Sequence, residues 1–108
     1  MQAITSSGKS FHVSVLCDSG ASDSIIPYSL VQKQKLKINT NEKRRIKAAN
    51  NSELRCYGTV SLKLNWHENS TKISGFVSAE VNNFLLDVYS MRNLNIVPQY
   101  FPQPLNDN

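Results

Sequence analysis

No apolar run in this chain approaches the roughly 20 residues that a membrane-spanning helix needs. Apolar runs such as Ile25-Ile26 and Phe84-Leu85-Leu86 are short. The opening Met1-Gln2-Ala3-Ile4-Thr5 has no basic start followed by an apolar stretch, so neither a signal peptide nor a membrane anchor is expected. Cysteine is scarce as well. Cys17 and Cys56 are too few for the disulfide scaffold of a small secreted domain and fit a reducing compartment. Without a secretory signal, Asn50-Asn51-Ser52 and Asn69-Ser70-Thr71 carry no glycosylation reading. Glycine and proline number four each, too few for a collagenous or low-complexity chain, and no internal repeat appears.

What is present is an ordinary globular composition. The 108 residues are 40% hydrophobic and 19% charged, enough for one modest core and not for two. Twelve Lys and Arg stand against eight Asp and Glu, a formal charge of +4. The basic residues cluster at Lys33, Lys35, Lys37, Lys43, Arg44, Arg45 and Lys47, with Glu42 the lone acid among them. No aromatic residue interleaves there to stack on bases. The stretch therefore reads first as a solvated face that keeps a small protein soluble, with a nucleic-acid interface over Lys33 to Lys47 the weaker alternative.

Patterning predicts a mostly β chain. Alternation from Ser10 to Cys17 puts Phe11, Val13, Val15 and Cys17 on one side of a strand. Turn-formers Asp18-Ser19-Gly20-Ala21-Ser22 end it, Ile25-Ile26 resumes, and Pro27 opens a brief helix to about Val31. Arg44 to Ala48 and Glu53 to Cys56 flank a turn and predict a hairpin. Val60, Leu62, Leu64 and Trp66 share the apolar face of the next strand. After a turn at residues 67–70 comes a strand from Thr71 to Ala79, then a short buried strand at Phe84-Leu85-Leu86. A helix is expected from Val88 to about Leu94. Residues 1–98 form the expected domain, and 99–108 a proline-containing tail.

The chemistry concentrates where an apolar strand, Val13-Ser14-Val15-Leu16-Cys17, runs straight into Asp18-Ser19-Gly20-Ala21, with Ile25-Ile26-Pro27 following at once. A carboxylate beside such strands is costly to bury unless it is hydrogen-bonded or paired. Taken alone, Asp-Ser-Gly is a common turn sequence. With its flanks it resembles the active-site loop of retropepsin-like aspartic proteases, the enzymes of retroviruses and LTR retrotransposons. The resemblance spans roughly Phe11 to Ile96. Ile46-Lys47-Ala48-Ala49-Asn50-Asn51, with Leu54, Gly58 and Val60-Ser61-Leu62-Lys63-Leu64, is similar to the flap hairpin and the strand after it. The run from Phe84 to Met91, ending in Leu94-Asn95-Ile96, is similar to the family's C-terminal strand and helix.

The resemblance implies a retropepsin-like acid-protease fold, one lobe per chain with a short C-terminal helix. It implies Asp18 as the catalytic carboxylate, Ser19 and Gly20 as support for the active-site loop, and Gly20 facing the peptide backbone. Leu16, Ala21, Ser22 and Asp23 would line the cleft, and Ala48, Ala49, Asn50 and Asn51 would form most of a flap tip over residues 48–53. That tip lacks glycine and is expected to be stiff. One departure stands out. The family usually has glycine where this chain has Asp87, and often Asp or Asn where it has Tyr89. An Asp side chain there is expected to change the packing of the C-terminal helix or weaken the domain.

Peptide hydrolysis by this route needs two carboxylates sharing one proton. The chain carries one Asp-Ser-Gly loop; Asp23 is too near in sequence, Asp87 lies in another motif and Asp107 in the tail. The expected active species is therefore a homodimer cutting a peptide or polyprotein, with Gln2-Ala3-Ile4-Thr5 and the segment near Ile96-Val97 as edge strands pairing between subunits. The family suggests an intracellular setting, in the cytoplasm or within a virus-like particle as part of a polyprotein. No cofactor is implied. A zinc site from His12, Cys17, Cys56 and His67 has no supporting spacing, and Cys17 reads as a small buried hydrophobe. The competing function is a retropepsin-like dimerisation or peptide-binding module with little or no hydrolysis.

Overall fold

Apolar side chains at every second position from Val60 to Leu64 build the centre of a sheet. The computed structural model describes residues 1–18, 20–42, 45–47 and 53–96. The strand β7 (Thr59–Trp66) pairs with β8 (Asn69–Ser78) in eight consecutive antiparallel steps, from Thr59 opposite Phe76 to Trp66 opposite Asn69. Its alternation is that of a half-buried strand: Val60, Leu62 and Leu64 are buried, Ser61 and Lys63 exposed. His67, at φ 55°, turns the ribbon through a left-handed conformation that histidine tolerates better than β-branched residues do.

Around this ribbon a mixed, curled seven-stranded sheet is laid in the order β2-β1-β7-β8-β4-β9-β3. β1 is Gln2–Ile4, β2 Ser10–His12, β3 Val15–Cys17, β4 Ile25–Pro27 and β9 Phe84–Leu86. β4 runs parallel to β8, and β3 parallel to β9. β4 and β9 meet antiparallel at Ile25 and Leu85. A separate hairpin pairs β5 (Arg45–Lys47) with β6 (Glu53–Arg55). The chain is thus mostly β with two short helices, α1 (Tyr28–Gln34) and α2 (Val88–Asn93).

The principal core gathers Ile26, Leu62, Leu64, Val77, Leu86, Met91 and Leu94 with their neighbours from sheet and helices. A smaller cluster joins Ile25, Leu54, Cys56 and Phe76. Each fully buried Leu or Ile contributes about 1.5–3 kcal/mol relative to exposure. Gly58 sits where the segment before the 3-10 turn Thr40–Glu42 crosses the sheet. Asn39 and Thr59 exchange main-chain hydrogen bonds of 2.8 and 3.0 Å, and a Cβ on Gly58 would lie 2.3 Å from the Asn39 carbonyl oxygen. With φ at 145°, only glycine is comfortable there.

Several expectations require correction. The strand foreseen from Ser10 to Cys17 is two strands that lie at opposite ends of the sheet order. Between them the Val13 N–H turns to the Met1 carbonyl at 2.9 Å. Gln2-Ala3-Ile4 is no edge: β1 is paired on both sides, with β2 and with β7. Ile96 is not in a strand either; its N–H donates to the Met91 carbonyl and its side chain packs on the core. Val97 and the tail 99–108 lie outside the described residues. The helix after Pro27 extends to Gln34, about a turn beyond expectation, ending at Lys35 in a left-handed C-cap. Trp66, expected as a core or rim aromatic, stands at the rim: it is 36% exposed at the ribbon tip, with its ring edge-on to His67 at 4.3 Å.

Candidate functional site

Asp18 is the first residue past β3, which is the last strand of the sheet and is paired on one side only, with β9. Its N–H continues that pairing by donating to the Leu86 carbonyl at 3.0 Å. Its own carbonyl accepts from the Ala21 N–H at 3.0 Å, and its Oδ1 accepts from the Gly20 N–H at 3.0 Å. The last bond is the side-chain turn that Asp forms with the amide two residues on, and it explains why Asp precedes a sharp bend here. The carboxylate is half-buried.

The rest of the loop is anchored to the segment entering α2. Ala21, half-buried, accepts at its carbonyl from the Val88 N–H at 3.3 Å. Ser22 is exposed, and its hydroxyl donates to Asp23 Oδ2 at 3.3 Å. Ser24, 4% exposed, closes the loop: its carbonyl accepts from the Phe76 N–H at 2.9 Å and its hydroxyl donates to Asp87 Oδ1 at 2.6 Å.

Asp87, the departure from the glycine of the resemblance, is used by the helix that follows it. It is the N-cap of α2, in extended backbone, and its Oδ2 accepts from the Ser90 N–H at 3.2 Å. Its Oδ1 accepts the Ser90 hydroxyl at 2.6 Å besides that of Ser24, and the Asp87 N–H donates to Ser24 Oγ at 3.2 Å. A carboxylate only 7% exposed is thereby satisfied by three donated hydrogen bonds, two from hydroxyls and one from an amide.

Of the residues foreseen at the site, Asp18, Gly20, Ala21, Ser22 and Asp23 lie between β3 and β4. Leu16 lies in β3 two residues ahead of Asp18, 54% exposed. Cys17 beside it is exposed rather than buried, because β3 has no strand on its far side. Partial desolvation still pushes its thiol pKa up. Ser19 and the foreseen flap residues Ala48, Ala49, Asn50 and Asn51 lie outside the described residues, although the hairpin base, β5 with β6, is formed. Ser24 and Ser90 were not foreseen. An Asp immediately before an apolar helical segment is a readable N-cap signal. Nothing in sequence spacing announces the Ser24 hydroxyl, 63 residues away.

Lys33, Lys35 and Lys37 are exposed. Among the described residues no three His, Cys, Asp or Glu side chains gather as metal ligands. No helix among them is long and apolar enough to cross a membrane. Comparison with protein-family models, with curated proteins and with solved structures finds no match to this chain.

Proposed function

We propose that this chain is one half of an aspartic endopeptidase of retropepsin type, completed by a second copy of itself. The observation that carries the reading is the contrast between its acids. Asp18 is presented half-buried on a main-chain-braced turn at the end of an edge strand, while Asp87 is consumed by hydrogen bonds in the interior. The order of strand, Asp-turn, strand, helix, hairpin, ribbon, strand and helix is compatible with one lobe of that fold. Leu16 and Cys17, exposed beside Asp18, leave apolar surface for a partner or a substrate to cover.

In this reading the two Asp18 carboxylates share one proton and hold a water. The ionised carboxylate takes a proton from the water as its oxygen attacks the amide carbon. The protonated one gives its proton to the carbonyl oxygen. The tetrahedral adduct then collapses: one of its hydroxyls returns a proton to the ionised carboxylate, the C–N bond breaks, and the amine leaves with the proton of the other carboxylate. Apolar side chains beside the scissile bond are favoured by aliphatic walls. The hydrogen bonds that hold Asp87 support the hydrolytic reading over the module without hydrolysis, which rested on Asp87 weakening the domain.

The test is cleavage of apolar-centred peptides across a protomer concentration series, run beside sedimentation. Activity per protomer is expected to rise as dimer forms, and Asp18→Asn to abolish it. A strictly monomeric chain at high concentration, or cleavage that survives Asp18→Asn, overturns the proposal.

A further inference from the structure

We propose that Asp87, Ser24 and Ser90 form a brace whose task is to position the Asp18 loop, beyond capping α2. The catalytic consequence rests on the protease reading; the brace itself does not.

The argument begins with what a cap requires. One carboxylate oxygen accepting the Ser90 N–H is sufficient for the N-terminus of a helix, and Asp87 Oδ2 provides it. The other oxygen is then free to do something else. It takes two hydroxyls at 2.6 Å, from Ser24 and from Ser90, bonds made shorter and stronger than neutral ones by the ionised acceptor. Ser24 Oγ in turn receives the Asp87 N–H, so Ser24 and Asp87 are joined reciprocally. All three residues are buried.

The brace sits at the centre of a larger grip. The residue before Asp87 offers its carbonyl to the Asp18 N–H, and the residue after it donates its N–H to the Ala21 carbonyl. Residues 86–88 thus hold the loop at Asp18, at Ala21 and at Ser24, which are three residues apart in turn. Ser24 is also tied to β8 through Phe76. The position of Asp18 is therefore set jointly by the sheet and by α2. The Ser24–Asp87 bond is the one side-chain link in this grip among the hydrogen bonds described above. Asp87, Ser24 and Ser90 touch no reacting atom and are positioning residues. Misplacing a reacting group by about 1 Å costs about 10²-fold in rate.

Ser24→Ala separates the two roles, because it leaves the Ser90 N–H to Asp87 cap intact. Hydrogen exchange is read at the Asp18, Ala21 and Val88 amides and, as reference, at Leu62 and Leu64 in β7. The three loop amides are expected to exchange about tenfold faster, and the two reference amides within about twofold of the parent, as local rather than global opening requires. In peptide cleavage the same variant is expected to lower kcat about 10- to 100-fold with KM within about threefold. Asp87→Asn, which preserves a good cap residue, should change both readouts in the same direction by less than Asp87→Ala. Unchanged loop exchange in Ser24→Ala, or equal acceleration at all five amides, overturns the brace. Should the parent chain show no peptidase activity at any concentration, the protease reading fails, and exchange alone still decides the brace.

Discussion

The β7–β8 ribbon and the Asp18–Ser24 loop are held by different physics. The ribbon is local: eight consecutive pairs, a turn at His67–Glu68, and an apolar face buried in the core. The loop has no ladder of its own. It is fixed by a few polar bonds to residues 86–88, which the chain reaches only after the whole ribbon has been built. Apolar burial tolerates the loss of any one polar group, whereas a loop held by single hydrogen bonds does not. The region that stabilises the molecule and the region that carries its proposed chemistry should therefore respond to different substitutions.

The largest expected separation is Asp18→Asn. It should lower peptide cleavage about 10³-fold or more while leaving the urea midpoint almost unchanged, since Asn accepts the Gly20 N–H equally well. A large loss of stability would show that the charge, not the turn, holds the loop. Leu64→Ala is the mirror case. With Leu64 fully buried, it should cost about 2–5 kcal/mol of stability in chemical unfolding. Next is Gly58→Ala, expected to cost about 2–3 kcal/mol through a strained φ and the Cβ contact with Asn39. At Gly75 the Cβ of alanine would meet Cδ1 and Cγ1 of the fully buried Ile26 at 2.6 and 2.7 Å, a side-chain contact without the left-handed φ of Gly58, so Gly75→Ala should cost less than Gly58→Ala. A larger loss at Gly75 would mean that the Ile26 side chain has no room to shift in the core.

The smallest effect is chemical. The thiolate is the nucleophile, and burial pushes the Cys17 thiol up. Cys17 should therefore alkylate more slowly at neutral pH than an unstructured thiol, catching up as pH rises through its raised pKa. Cys56 is buried, with its thiol donating to the Gly58 carbonyl at 3.0 Å, and should react only on unfolding. Mass spectrometry after timed labelling distinguishes the two. Equal rates at both cysteines would contradict the contrast in burial.

Much of the ribbon was legible because its information is periodic. The alternation from Val60 to Leu64, the short strand Phe84–Leu86 and the helix at Val88–Asn93 all stand where the residue pattern puts them. The alternation from Ser10 to Cys17 misled for the same reason: periodicity marks extended backbone but does not say that the partner changes at Val13-Ser14. It therefore also misplaced Cys17, which is exposed because β3 ends the sheet. The loop was half legible. Asp18 and Gly20 announce a turn by residue type, and Asp87 announces a cap, yet their mutual support through Ser24 has no sequence period to reveal it.

The amino-acid order by itself determined a mostly β chain with one candidate acid on a turn and a short helix near its end, because backbone preference and alternation act over a few residues. Only the tertiary structure decided that β1 is interior, that β3 is an edge, and that the Asp87 carboxylate meets the hydroxyls of Ser24 and Ser90. Those outcomes depend on which distant groups meet, and a buried carboxylate is tolerable only where the folded chain brings hydroxyls and amides to it.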